Sequence, residues 1–206
     1  MKTLPALKVN DPKQFGRVGL LVGGDSAERE VSLDGGKAVL AALQNQNIST
    51  QLFDGSQALF KAIDEGRIDR VFNLIHGPGG EDGAIQGALQ LMNIPITGAG
   101  LLGSALSMDK VRSKWVWERR GIFTPPFALL ERGDHLPEEC LSDWGLPLFV
   151  KPAGLGSSIG ITKVKSEFEL SEAISLARQY SDSVIVEPEI REMNTLPESS
   201  GIRRCR

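Results

Sequence analysis

The stretch "RVGLLVGG", Arg17 to Gly24, is a short valine- and leucine-rich run that stops at a glycine pair. Its length and its breaker favour a strand buried in a parallel sheet. Working outward, residues 26–46, "SAEREVSLDGGKAVLAALQNQ", place Val31, Val39, Leu40 and Leu43 near helical spacing. "ISTQLFD" (48–54) predicts a second strand, and "SQALFKAIDEG" (56–66) a second helix with a glycine stop. "RVFNLIHG" (70–77) predicts a third strand, "DGAIQGALQLMN" (82–93) a third helix, and "IPITG" (94–98) a short fourth strand. Strand and helix alternate, so the first hundred or so residues predict an open, mainly parallel, doubly wound α/β sheet.

Beyond this the rhythm changes. "GSALSMDKVRSKWVWERRG" (103–121) predicts one long amphipathic helix, in which Leu106 and Val111 pack inward and Lys110 and Lys114 lie on a solvated face. "TPPFALL" (124–130) crosses to a strand, its proline pair marking a domain boundary. After a polar stretch come "LPLFVKP" (146–152), a glycine loop, "IGITKV" (159–164), a helix "SEFELSEAISLARQY" (166–180) and "SDSVIVEP" (181–188). Three strands with one intervening helix predict a partly antiparallel sheet in a second, α+β domain.

Bulk properties narrow the function classes. The 206 residues carry a net charge of −3, which gives no reason to expect nucleic acid binding. No run reaches the roughly 18 apolar residues of a membrane helix, and residues 1–16 lack a signal-peptide core, so a cytoplasmic protein with no membrane association is expected. Cys140 and Cys205 lie far apart, with no spacing that suggests a disulfide framework or a zinc site.

Three loops follow predicted strands, where ligands bind in open α/β sheets. In "VKPAGLGSSIGI" (150–161) a strand delivers Lys151, three glycines allow a tight turn, and Ser157 and Ser158 add hydroxyls. Successive free N–H groups in such a turn form an anion cradle, although an ordinary Gly-Ser hairpin fits the same residues. "GGDSAEREVS" (23–32) places Glu28 where it either meets a substrate ammonium group or stabilises a helix dipole. Asp54 closes the second strand where a ribose-binding acid would sit, but the dinucleotide fingerprint G-x-G-x-x-G is absent. "HGPGGEDG" (76–83) puts His76 at a third strand end, ahead of a glycine-rich loop.

Taken together and in order, "GGDSAEREVS", "HGPGGEDG", "GSALSMDKVRSK" and "VKPAGLGSSIGI" resemble segments of the D-alanine–D-alanine ligases, an ATP-grasp family. The resemblance covers roughly Arg17 to Ile190. It implies a Rossmann-like, pre-ATP-grasp domain over 17–104, after an N-terminal extension of residues 1–16. A partial ATP-grasp α+β domain follows over 105–190, with a remnant metal motif and aberrant tail over 191–206. It also implies ATP-dependent ligation of two D-alanines through an acylphosphate, for peptidoglycan synthesis, with Mg²⁺ or Mn²⁺, by a homodimer formed through the N-terminal domain. By the same resemblance, Glu28 holds the first D-alanine's ammonium group and helps order a catalytic serine, Ser157. His76 lies near that alanine's carboxylate, and Lys110 and Lys151 contact ATP phosphates. Ser158 lies in the loop over the phosphates, and Glu187 faces adenine.

The family carries a long segment between the adenine-facing acid and its metal motif. Here "EMNTLP", which resembles that motif with Glu192 and Asn194 as metal ligands, follows Ile190-Arg191 at once. Five extended steps from Glu187 to Glu192 reach only about 17 Å. After Pro197 the chain reads "ESSGIRRCR", which departs from the family. An internal deletion followed by a frameshift would explain both features. The expectation is a chain of the ligase family that is itself inactive or impaired, with poor solubility or partner-dependent folding. The alternatives are a truncated noncatalytic fragment or a nucleotide- or amino-acid-binding module. D-lactate is an alternative second substrate.

Overall fold

The computed structural model of the chain describes residues 11–156 and 158–190. Ser157, Glu192 and Asn194 therefore lie outside the described residues, as does Cys205. The chain divides into two compact units between Ala105 and Leu106, ahead of the Pro125-Pro126 pair.

In the first unit, β1 (Val18–Val22) is buried along its whole length. It lies between β2 (Thr50–Asp54) and β3 (Arg70–Asn73), and both pairings are parallel. Alternation along β1 sends side chains to opposite faces. Leu21 joins a core with Leu59, Ile63, Ile85 and Leu89, so α2 (Ser56–Asp64) and α3 (Ala84–Leu91) cover that face. α1 (Arg29–Asn45) covers the other. Its approach is close, since a Cβ on Gly36 would come within 2.5 Å of Val22 Cγ1. Helices on both faces explain why β1 reads as an unbroken apolar run. The expected fourth strand is a single parallel bridge, Val71 to Ile96. Pro95 gives its carbonyl to Val71, but as a proline it has no N–H with which to continue a ladder.

The expected long helix over 103–121 is two helices, α4 (Leu101–Met108) and α5 (Lys110–Arg119). Asp109 breaks it. Its backbone is extended (φ −89°, ψ 101°), and its carboxylate accepts the Arg112 N–H at 2.8 Å as the cap of α5.

In the second unit, β4 (Ala128–Leu130), β5 (Leu148–Pro152), β6 (Thr162–Val164) and β7 (Val184–Pro188) form a sheet in the order β4-β7-β5-β6. All its pairings are antiparallel rather than partly so. One face, with Leu148, Val150, Val184 and Val186, packs on α7 (Glu167–Ala177) and on α6 (Glu138–Trp144) through Cys140. α6 lies in the stretch read as merely polar. Its two first-turn glutamates suit a helix N-terminus, and Cys140 is its buried residue. The other face carries Phe149, Lys151, Ile185 and Glu187, and α5 lies against it through Val111 and Trp115. The expectation of an N-terminal parallel sheet followed by an α+β domain is borne out.

Candidate functional site

Two groups of expected site residues occupy ordered positions, one in each unit. In the first, the loops after β1 and β3 meet at the C-terminal ends of the strands. Ser32 ties them together. Its hydroxyl donates to the Leu74 carbonyl at 2.6 Å and accepts the Gly23 N–H at 2.9 Å. Glu28 takes the N-cap position of α1, yet its side chain does not cap the helix. A Cβ placed on Gly77 would sit 3.4 Å from Glu28 Oε2, so the carboxylate lies against the residue after His76.

His76 Nδ1 is 3.5 Å from Glu81 Oε1, and Glu81 Oε2 accepts the Gly77 N–H at 2.9 Å. Asp82 accepts from Gly79 and Ala84 N–H. Asn73 and Gln86 both donate to the Gly80 carbonyl, at 2.9 and 2.7 Å. A loop that looks flexible in sequence is thus bonded along its length. Gly80 is required on steric grounds, because a Cβ there would fall 2.2 Å from the Ile75 carbonyl oxygen. Sequence reading missed Asn73, Glu81, Asp82 and Gln86. The signal was available, since these donors and acceptors flank every turn of "HGPGGEDG".

Asp54 is the ion-pair partner of Arg29. Both its oxygens are engaged by Arg29, at 2.8 and 2.6 Å, and the same guanidinium donates to the Gly24 carbonyl. Beside this pair lies an open cleft of about 720 Å³, floored by Phe60, Ile75, Ile85 and Ala88. Glu28 and His76 do not line it.

In the second unit, Lys110 opens α5. Its N–H bonds the Ala153 carbonyl, and its ammonium donates to the carbonyls of Pro152 and Leu155. Lys110 therefore braces the glycine loop from beneath, and it is half-buried rather than on a solvated face. Ser158 holds a left-handed backbone (φ 55°) and its carbonyl accepts the Ile161 N–H, while Gly160 also has positive φ (69°) under the Tyr180 ring.

The centre of the unit is Glu187. It is 7% exposed and held by two lysines. Lys151 pairs with Oε1, and Lys114 Nζ lies 2.9 Å from Oε2. Lys114 also donates to Thr124 Oγ1 at 2.9 Å and to the Pro125 carbonyl at 3.0 Å, with the Phe127 ring 5.0 Å away. The expectation that Lys114 lies on a solvated face is therefore wrong. Val111, Lys114 and Trp115 fall at i, i+3 and i+4, the inward stripe of α5. Burial lowers the Lys114 pKa to about 8, while Glu118 opposes the shift. Burial lowers Lys151 as well, assisted by repulsion from Lys114 and Lys110. The Glu187 carboxylate favours the charged forms of Lys114 and Lys151, as Glu118 does for Lys114 and Asp109 for Lys110. The three ammonium groups of Lys110, Lys114 and Lys151 are close enough for Lys151 to be repelled by the other two, and such a concentration of cations suits a polyanionic ligand.

Among the described residues no group of three or more His, Cys, Asp or Glu could hold a metal ion, and no helix is long and apolar enough to cross a membrane.

Comparison with known proteins agrees with this geometry. Residues 51–99 match the family described as D-ala D-ala ligase N-terminus, and residues 116–197 the D-ala D-ala ligase C-terminus. The D-alanine–D-alanine ligase of Paraburkholderia phytofirmans is 48% identical over 183 residues, covering 87% of this chain and 58% of that protein. D-alanine–D-alanine ligase B of Xanthomonas campestris is 45% identical over 184 residues, with the same coverage. The chain thus spans under two thirds of the length of these relatives. Among solved structures, the Bacillus anthracis ligase complexed with ATP superposes with a TM-score of 0.74 at 30% identity, over 85% of this chain and 59% of that one. The Coxiella burnetii ligase gives a TM-score of 0.72 at 30% identity, over 85% and 64%. With both family segments in order, and that identity across most of its length, the chain belongs to the D-alanine–D-alanine ligase family.

Proposed function

We propose that the second unit binds ATP and the first binds D-alanine, for the ligation that gives the family its name. The observation that carries this reading is Glu187, a buried carboxylate with Lys114 on one oxygen and Lys151 on the other. A carboxylate offers about four acceptor sites, so an exocyclic amine of adenine can still be accepted there. Lys151 and the glycine loop braced by Lys110 supply positive charge and backbone donors for phosphates. Glu28, against the His76 loop, meets the ammonium group of the first D-alanine, and His76 its carboxylate. Ser157, Ser158 and Glu187 keep the roles that the resemblance implies.

The chemistry balances with few demands on covalent help. The carboxylate of one D-alanine takes the γ-phosphoryl group of ATP and releases ADP. The amine of a second D-alanine attacks the acyl carbon, phosphate leaves, and the amine loses a proton. Positioning and charge neutralisation supply most of such catalysis. A divalent cation is proposed on the chemistry of ATP alone. The ligands that the resemblance implies for it, Glu192 and Asn194, lie outside the described residues. A role in peptidoglycan synthesis, a homodimer and a cytoplasmic location belong to the same proposal.

Turnover by this chain is proposed to be weak or absent, because only Pro188 to Arg191 separate Glu187 from Glu192. Metal sites need ligands held by supporting structure. The test is calorimetric ATP binding together with ADP release in the presence of D-alanine, ATP and Mg²⁺. ATP binding lost in Lys151→Ala, with little ADP release by wild type, is expected. Brisk ADP release abolished by Lys151→Ala or Glu28→Gln would contradict the weak-turnover reading. No ATP binding at all would contradict the nucleotide reading.

A further inference from the structure

Lys114 is the one cation of the cluster that the family reading leaves without a task. It does not reach the glycine loop as Lys110 does, and its side chain is only 7% exposed. Its ammonium spends its three donors on Thr124 Oγ1, the Pro125 carbonyl and Glu187 Oε2, all between 2.9 and 3.0 Å. Two of these partners belong to the segment between α5 and β4, and Thr124 is itself buried. The third is a β7 side chain on the sheet face toward α5. The ammonium is thus anchored twice before it touches Glu187.

We propose that Lys114 is a positioning residue that sets base selectivity: it fixes the Glu187 carboxylate so that a 6-aminopurine nucleotide is preferred over a 6-oxopurine. The inference rests on the reading of Glu187 as the adenine-facing acid. With Lys114 on Oε2 and Lys151 on Oε1, neither oxygen is surrounded, and a lone pair remains for an amine donor. Without Lys114 the carboxylate is held only by Lys151, whose four-carbon stem is flexible. The carboxylate then turns toward that lysine, and the edge that reads the base is lost. A 6-oxo group presents an acceptor to an acceptor in a dehydrated site, which is why selectivity is the sensitive readout.

The experiment measures binding of ATP and ITP to the 206-residue chain and its variants by calorimetry, with circular dichroism to confirm folding. Wild type should prefer ATP by roughly 10- to 100-fold, the range for a hydrogen bond to a charged group. Lys114→Met should bring the ratio close to unity. Thr124→Val, which removes one anchor of the ammonium at nearly constant volume, should lower it in part. If Lys114→Met does not fold, Thr124→Val decides. A folded variant of Lys114, or a Thr124→Val protein, that keeps the full wild-type ratio overturns the inference and leaves the nucleotide reading standing. A wild type that binds neither nucleotide, or both alike, overturns the reading of Glu187 and the inference with it.

Discussion

A lysine whose side chain is 7% exposed stays charged only if its surroundings replace the water it has lost. Lys114 has three acceptors, yet burial still lowers it to about 8 from an ordinary 10.5. Lys110 and Lys151 shift in the same direction, chiefly by burial. Between about pH 8 and 10.5 the unfolded chain therefore holds protons that the native cluster has released. Stability rises with pH wherever the unfolded state binds more protons. The urea midpoint of the second unit should rise from pH 8 toward pH 10, and Lys114→Met should flatten that slope. A wild-type midpoint that falls over this interval would show that the shared carboxylate outweighs burial. Lys114 was illegible as a site residue because a polar side chain on an amphipathic helix is ordinarily assigned to water. Glu187 was named through the family resemblance, since the strand pattern shows only an apolar run that closes on an acid.

Helix and strand boundaries show what sequence patterns can and cannot resolve. β1 was legible because a parallel strand covered on both faces has no polar alternation to hide it. The break between α4 and α5 was not, because the apolar spacing runs through Asp109 while its capping bond is local. α6 was hidden by its shortness and its acidic first turn. The loop after β3 looks unconstrained, but its carboxylates and amides bond its own backbone, and its tightest approach is Gly80 to the Ile75 carbonyl. A methyl group at Gly80 has backbone in front of it, so the loop or the end of β3 must move. Gly80→Ala should cost roughly 2–3 kcal/mol of stability in urea unfolding and weaken D-alanine binding. A variant within about 0.5 kcal/mol of wild type, the usual range of surface changes, would show that the loop relaxes freely.

At the scale of the whole chain, two units have separate cores, and the proposed function gives each its own ligand. The first gathers Glu28 and the His76 loop at the strand ends of a parallel sheet, the place where open α/β folds bind ligands. The second presents Lys110, Lys114, Lys151 and Glu187 over one face of an antiparallel sheet. The order of the loop motifs made the family legible, since four segments in sequence constrain far more than any one. Ser157, Glu192 and Asn194 were named from the same resemblance and lie outside the described residues. On the proposed function, each unit reads its own substrate. Hydrogen exchange with ATP, and separately with D-alanine, tests it most directly. ATP should slow exchange in β5, the following glycine loop and β7, and D-alanine should slow it in the loops after β1 and β3. ATP protection that appears in the first unit instead, or no protection of β7 at saturating ATP, would contradict the account.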